Sequence, residues 1–221
     1  MSYTWSKSLD YNSDDGNNVS VLIPVRIRNY GLSSFDRTHI IKVNWLYDLP
    51  GFHHAPRVVK LAANDWQVSG IYIAATGPPL SVGFATVNTV DITGSPTEGA
   101  RIDVKSDPNL GHGEREFTRW FRTDVFALPA VGTYGNTART SIRGPGANNF
   151  DVTVFKNFVY KERLRTQLRA EFYNAFNHTQ FTGLDTTARF DAQGRQVNTQ
   201  FGQITSTRPG RRIQLALRLS F

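Results

Sequence analysis

Few residues of this chain stand at spacings that support metal binding. The acidic stretch from Asp10 to Gly16 resembles the start of a calcium-binding loop, but its glycine falls one position late. Val21 then stands where such a loop needs a bidentate glutamate. His53 and His54 are adjacent, so on a strand they would point to opposite faces and could not share one metal ion. We therefore predict no metal site and no resident cofactor.

Catalytic patterns are missing as well. The segment Arg143-Gly144-Pro145-Gly146 lacks the Lys-Ser/Thr of a phosphate-binding loop and precedes a strand pattern, which indicates a turn. No Ser, His and Asp residues stand at a spacing that indicates a catalytic triad. The chain contains no cysteine, which excludes disulfide scaffolds, thiolate metal sites and thiol catalysis. We predict no catalytic residues and do not expect an enzyme.

The charge balance is basic, with 25 Lys and Arg against 18 Asp and Glu and a formal net charge of +7. Nucleic-acid binding would require this charge to be gathered on one helix or stripe. The basic residues are instead spread along the chain, in runs no longer than a pair. We predict no nucleic-acid partner.

The C-terminal segment from Arg212 to Phe221 shows the clearest regular pattern. Apolar residues alternate with polar or small ones, and a period of two places the two sets on opposite faces of a strand. An amphipathic last strand ending in an aromatic residue is typical of bacterial outer-membrane barrels. We predict that the barrel-assembly machinery adds this strand to a sheet edge and reads the side chains of Leu217, Leu219 and Phe221.

The same alternation predicts five further long strands and an all-β, antiparallel meander. These strands lie near residues 3–9, 38–47, 66–74, 150–158 and 163–176. Short and long connections alternate between them, as in outer-membrane barrels with short periplasmic turns and long external loops. Strands of about 9–12 residues also match a tilted membrane span. The pattern therefore predicts a transmembrane β-barrel segment of six to eight strands in contact with the lipid bilayer.

The strand near 163–176 shows what each face does. Arg163, Arg165, Gln167, Arg169 and Glu171 alternate with apolar residues such as Leu164, Leu168 and Phe172. The polar row is too charged for a hydrophobic core, so we predict that it lines a water-filled lumen. The apolar row is predicted to face lipid, with aromatic girdles formed by Trp5, Trp45, Tyr47, Trp66 and Tyr72.

The connections are predicted to be polar loops. Residues 10–35 form a long loop in this interpretation, with a possible short strand from Val19 to Ile27. Residues 89–149 form surface loop with short strands, including one near 121–126, and residues 177–209 form a polar loop. Six to eight strands suit at most the smallest barrels, and no signal peptide follows Met1. We therefore expect residues 1–221 to be the C-terminal segment of a larger barrel.

An ordered set of motifs extends along nearly the whole chain and resembles a known family. These motifs are Asp36-Arg37-Thr38-His39, Tyr47-Asp48-Leu49-Pro50, Gly135-Asn136, Arg139, Arg143-Gly144-Pro145-Gly146, Asn149-Phe150-Asp151, Phe155-Lys156-Asn157-Phe158, the run from Glu171 to His178, Phe201-Gly202-Gln203-Ile204-Thr205-Ser206 and the terminal Phe221. Together they resemble the C-terminal part of Oar-like TonB-dependent outer-membrane receptors, which often begin with a carboxypeptidase-regulatory-like domain.

That resemblance implies a barrel of about 22 strands with an N-terminal plug. Such receptors take up ligands with energy passed through TonB, and the TonB system would act through the plug, which this sequence does not contain. The sequence does not identify the ligand. Two alternatives remain open at this point: a soluble β-sandwich that binds carbohydrate, and a small self-contained eight-stranded outer-membrane barrel.

Overall fold

A computed structural model describes residues 1–14, 19–160 and 164–221. Its helices are α1 (Val25–Arg28) and α2 (Arg57–Ala63), with one turn of 3-10 helix at His112–Glu114. No helix within the described ranges is both long and apolar enough to span a membrane. The strands are β1 (Ser2–Trp5), β2 (Leu9–Asp10), β3 (Gly31–Leu32), β4 (His39–Asp48), β5 (Trp66–Ala75), β6 (Pro79–Leu80), β7 (Gly83–Thr86), β8 (Asp103–Val104), β9 (Phe126–Ala127), β10 (Ile142–Arg143), β11 (Ala147–Tyr160), β12 (Leu164–Tyr173), β13 (Phe181–Leu184), β14 (Thr187–Phe190), β15 (Ile204–Thr207) and β16 (Arg212–Ser220).

The long strands form one sheet of six strands in the order β1-β4-β5-β11-β12-β16, called the main sheet below. Every neighbouring pair in it is antiparallel, and the order follows the chain. The predicted all-β meander is therefore confirmed. β11 is longer than predicted, whereas β1 ends at Trp5 and Leu9 belongs to a separate short strand.

The connections of the main sheet differ between its two ends. At one end, called the outer end, residues 6–38, 76–146 and 174–211 form long connections. At the inner end, residues 49–65 form a shorter connection that contains α2, and β12 begins soon after β11 ends. Within the described ranges, no further strand pairs with the free edge of β1 or of β16.

The register of the main sheet aligns its apolar residues across all six strands. Cross-strand neighbours in a sheet share a face. The apolar face carries, among others, Tyr3, Trp5, Ile41, Val43, Trp45, Tyr47, Trp66, Val68, Tyr72, Phe150, Val152, Val154, Leu168, Phe172, Ile213, Leu215, Leu217 and Leu219. The opposite face, called the polar face, carries mostly polar side chains, although Ile40, Leu46, Ile71, Ile73 and Phe155 also lie on it.

The long connections pack together into a loop body that has its own hydrophobic core. The core consists of Val82, Ile102, Phe121, Val125, Phe126, Ile142, Ala188, Phe190 and Phe201. The short strands β6 to β10 and β13 to β15 pair with one another around it. The segment near 121–126, which was predicted as a surface strand, instead supplies the centre of this core, and only its end belongs to a strand.

Two sequence expectations about the connections are wrong. The possible strand from Val19 to Ile27 is not present, and Val25–Arg28 is the helix α1. Residues 177–209 are not a simple polar loop, because they contain three short strands and the buried residues Ala188, Phe190, Phe201 and Ile204. Strands of four residues are too short for a period to stand out, so their inward residues resemble isolated apolar positions.

Candidate functional site

The row of polar residues predicted on β12 lies on the polar face of the main sheet. Arg165, Gln167, Arg169 and Glu171 pair across to β16 through Ser220, Arg218, Ala216 and Gln214. Arg163, the remaining member of the row, lies outside the described residues. That this face lines a lumen stays a prediction.

Contacts within this row hold the long side chains in place. The Nε2 of Gln167 donates a hydrogen bond to Oδ1 of Asn157 on β11, at 2.9 Å. Arg169 forms an ion pair with Glu171, and its guanidinium lies 5.2 Å from the ring centroid of Phe155. Paired charges on this part of the polar face suit a surface in contact with water.

The apolar face carries packed aromatic side chains near the outer end. The rings of Tyr72 and Phe150 stack with centroids 4.1 Å apart, and Phe176 meets Phe150 edge-on at 5.1 Å. Nearer the middle, the indole of Trp45 lies across Gly70 on the neighbouring strand. A Cβ atom at position 70 would come within 2.1 Å of that indole, so only glycine leaves room for the ring.

Lys156 is a residue whose position the sequence reading missed. It lies on the apolar face, between Trp66 on β5 and Leu168 on β12, and it is buried. Its ammonium group donates to the backbone carbonyl of Asn64 and lies 5.6 Å from the ring of Trp66. A lysine among apolar neighbours is stabilised when its charged end reaches an aromatic face and a backbone carbonyl at the end of a strand. Lys156 is two residues from Val154 on the same strand, so the alternation of the sequence could have placed it on the apolar face.

The residues predicted as an assembly signal lie on the free edge strand β16. Leu217 pairs with Leu168, and Leu219 pairs with Thr166, so both are on the apolar face. The strand ends at Ser220, and Phe221 follows it as a fully exposed residue. A free strand edge offers unpaired backbone groups to another strand. Recognition of this edge by the assembly machinery stays a prediction.

At the outer end, motifs distant in sequence meet in a cluster that we call the rim junction, formed by Asp36, Thr38, Gly77, Arg143 and Gly144. Arg143 donates from Nη2 to Asp36 at 2.7 Å and to Oγ1 of Thr38 at 3.1 Å. It also donates from Nη1 to the carbonyl of Gly77 at 3.2 Å. A Cβ at Gly77 would lie 1.8 Å from the carbonyl oxygen of Gly144, so the two segments can only approach through glycine. The rim junction fixes the loop body to the ends of β4 and β5.

Asp36 is the buried acidic group of this junction. Burial raises the pKa of its carboxyl, but the backbone N–H of Ser8 and the guanidinium of Arg143 outweigh that effect and hold the pKa below its usual value. The hydrogen bond from Ser8 measures 2.7 Å. The ionised carboxylate is therefore the form that ties the connection after β1 to Arg143 of β10.

Two more arginines join separate parts of the long connections. Arg139 pairs with Asp10 and donates to the carbonyl of Leu32 at 2.8 Å. Arg28 is buried and pairs with Glu98 at 3.2 Å, while its other nitrogens donate to backbone carbonyls. Arginine suits this work because one planar group can bond several acceptors at once.

Among the residues that the structure describes, no group of three or more His, Cys, Asp or Glu side chains is placed to hold a metal ion. His53 and His54 lie in the connection between β4 and β5.

A family model described as an outer membrane beta barrel domain matches residues 1–214. No curated protein and no solved structure matches the chain.

Proposed function

Because the chain belongs to the outer membrane beta barrel domain family, we propose that it forms part of the barrel of a TonB-dependent receptor that takes up a ligand. Its location is the bacterial outer membrane, since that is where barrels of this family lie. The family is one of membrane barrels, so the alternative of a soluble, carbohydrate-binding β-sandwich is set aside.

The observation that carries the proposal is the asymmetry of the main sheet. One face is apolar across all six strands, both sheet edges are free among the described residues, and the loop body lies at the outer end. A receptor barrel needs a lipid-facing surface, neighbouring strands and a structured external region. The motifs that resemble Oar-like receptors support the same role, and two of them, Asp36-Arg37-Thr38-His39 and Arg143-Gly144-Pro145-Gly146, meet in the rim junction.

This proposal includes the partners expected from the sequence. The apolar face contacts the lipid bilayer, the barrel-assembly machinery reads β16, and the TonB system acts through a plug domain outside this chain. We further propose that the chain is not an enzyme and has no nucleic-acid partner. The transported ligand is left open.

A self-contained small barrel is the second candidate. β1 and β16 are the edges of the main sheet and run in opposite directions, so they could in principle pair with each other. Against this, six strands are fewer than the eight of the smallest outer-membrane barrels.

Disulfide trapping in the full-length protein separates the two candidates. This chain has no native cysteine, so with any cysteine elsewhere in the full-length protein replaced, pairs can be introduced that join Ser2 or Thr4 of β1 with Gln214, Ala216 or Arg218 of β16. These positions share the polar face, and a disulfide forms only where the Cα atoms come within about 4.4–6.8 Å. We expect no cross-link in isolated outer membranes, with the pair Thr153 and Ser69 as the positive control. Efficient cross-linking of any β1–β16 pair would contradict the receptor proposal in favour of the small barrel.

A binding measurement tests the TonB part separately. The full-length protein, purified in detergent, should retain the periplasmic domain of TonB in a pull-down. Failure to retain it, together with the absence of a β1–β16 cross-link, would leave a large barrel that does not use TonB.

A further inference from the structure

A groove with a volume of about 1040 Å³ opens at the outer end of β4, β5 and β11. We call it the rim groove. Ile41 and Ala74, which pair with each other on the apolar face, line one side of it. Trp120 and Phe181 of the loop body line the other side, with their ring centroids 6.0 Å apart. The rim groove is therefore continuous with the surface that faces lipid.

The polar side chains of the rim groove are basic or neutral. Arg115, Arg143, His39 and His178 line it, and no Asp or Glu is among its lining residues. Arg143 is already paired with Asp36 in the rim junction. Among the described residues that line the groove, Arg115 is therefore the arginine left to bind a ligand.

Arg115 is held in position without a carboxylate partner in the described part of the chain. Its Nε donates to the carbonyl of Leu110 at 3.1 Å, and its guanidinium lies 5.5 Å from the ring of Trp120. Of the acidic residues beside it in sequence, Glu114 accepts from the backbone N–H of Gly111 at 2.9 Å, and Glu116 does not line the groove. The terminal nitrogens of Arg115 remain available to an anion.

His178 supplies a second donor of known direction. The side-chain nitrogen of Gln180 donates to Nδ1 of His178 at 2.8 Å. The orientation of the Gln180 amide is fixed because its oxygen accepts from the backbone N–H of Asn148 at 2.9 Å. Nδ1 of His178 must then be an acceptor, so Nε2 carries the proton and can donate a hydrogen bond.

We propose that the rim groove binds the phosphate-bearing headgroup of an outer-leaflet membrane lipid. The acyl chains would lie along Ile41 and the apolar face below it, and the phosphate would pair with Arg115 and His178. Guanidinium and phosphate form strong, bidentate hydrogen bonds, which are strengthened where apolar side chains exclude water. This proposal rests on the outer-membrane location, on the apolar face meeting lipid and on the loop body lying at the external side, and it is independent of TonB-driven uptake.

The test uses the full-length protein in detergent and lipid A as the probe, with binding followed by native mass spectrometry. We expect lipid A to bind and its fully dephosphorylated form to bind at least tenfold more weakly. Arg115→Gln should weaken lipid A binding roughly ten- to hundredfold, because a hydrogen bond to a charged group contributes about 1.5–3 kcal/mol. Arg189→Gln is the matched control, since Arg189 is an exposed arginine of the loop body that does not line the groove.

Each alternative outcome overturns the proposal. Equal binding of lipid A by the parent and by Arg115→Gln would show that the groove does not hold the phosphate. Displacement of lipid A by inorganic phosphate at the same concentration would indicate a site for soluble anions. If Arg115→Gln alters the protease-resistance pattern of the loop body, His178→Gln provides a second variant. Unchanged binding of lipid A by His178→Gln would also show that the groove does not hold the phosphate.

Discussion

Apolar side chains are buried in the loop body, whereas many of those on the main sheet are exposed. In the loop body, Ile102, Phe121 and Phe190 are 0%, 1% and 2% exposed. In the main sheet, Leu215 and Leu217 are 77% and 60% exposed. Removing apolar area from water is worth about 25 cal/mol per Å². The loop body gains that energy from its own residues, whereas the main sheet can gain it only from an apolar medium around it.

Polar groups differ between the two regions as well. The main sheet satisfies its backbone through a regular ladder of antiparallel pairs. The loop body has strands of only two to four residues, and arginine–carboxylate pairs such as Arg143 with Asp36 connect its segments. Stability at the outer end therefore depends on particular side chains, while stability of the main sheet depends on its surroundings. Five predictions test this contrast, in order of decreasing effect on stability.

Phe121→Ala should open the loop body and leave the main sheet intact. Phe121 packs edge-on against Phe126 and Phe201, and removing a buried phenyl ring costs about 3–5 kcal/mol. Hydrogen exchange should accelerate at the amide of Trp120, which donates to the carbonyl of Gly202 at 2.8 Å. Amides of β5 and β11 should keep their protection.

Val131→Ala is the control for Phe121→Ala, because Val131 belongs to the same connection but is 76% exposed. It should change exchange rates little. Loss of protection in β5 and β11 of the Phe121→Ala protein would mean that the two regions unfold together and that the contrast between them is wrong.

Leu168→Arg should prevent assembly of the main sheet, whereas Gln167→Arg should be tolerated. Leu168 lies on the apolar face and Gln167 on the polar face of the same strand. An arginine facing lipid near the middle of a membrane costs about 2–4 kcal/mol in a barrel, and one facing water costs little. Outer-membrane levels of the full-length protein measure the effect. Similar levels for both variants would show that the faces are assigned wrongly.

Acid should loosen the loop body before the main sheet. For Asp10 and Asp36, burial raises the carboxyl pKa, but hydrogen bonds and the nearby arginine outweigh it and hold the pKa below the ordinary value of 3.8. The stability that each carboxylate contributes is complete above pH 3.8 and is lost as the pH falls through the lower, folded pKa. Hydrogen exchange, corrected for its intrinsic pH dependence, should show that the loop body opens as the pH falls below 3.8. It should show no change between pH 5 and 8.

Asp36→Asn should weaken the loop body at neutral pH and remove part of its acid sensitivity. The asparagine keeps the shape of the side chain but leaves the charge of Arg143 without its partner. Acid opening identical to that of the parent protein would show that Asp36 is not one of the groups responsible.

The sequence predicts the main sheet well because a period of two persists over nine or more residues in β4, β5, β11, β12 and β16. The faces of β12 and β16 follow directly from the alternation around Leu168 and Leu217. The rim junction could not be predicted in the same way, because Asp36 and Arg143 are 107 residues apart. Their partnership depends on how the long connections fold back, which no local spacing records. The core of the loop body could not be predicted either, because its strands are too short to show a period in the sequence.

The smallest effect on stability is expected from deletion of Phe221. The residue follows β16, makes no ladder pair there and is fully exposed, so its loss should change the free energy of unfolding by no more than about 0.5 kcal/mol. The free edge of β16 nevertheless offers a template to which another strand can be added, and side chains at alternate positions give such pairing its specificity. Leu217, Leu219 and Phe221 are the alternate residues at the end of the chain.

If Phe221 acts in assembly, its deletion should lower the outer-membrane level without lowering the stability of the assembled protein. If Phe221 has a structural role, both quantities should fall. We expect the Phe221 deletion to lower the outer-membrane level of the full-length protein sharply, while the fraction that does assemble resists heat and denaturant like the parent. Ser220→Ala, on the polar face beside it, should change neither quantity. Parent-like levels for the deletion would mean that the terminal aromatic residue is not read during assembly. Reduced levels together with reduced resistance of the assembled fraction would mean that Phe221 stabilises the barrel, and that the main sheet depends on its own residues more than its exposed apolar face indicates.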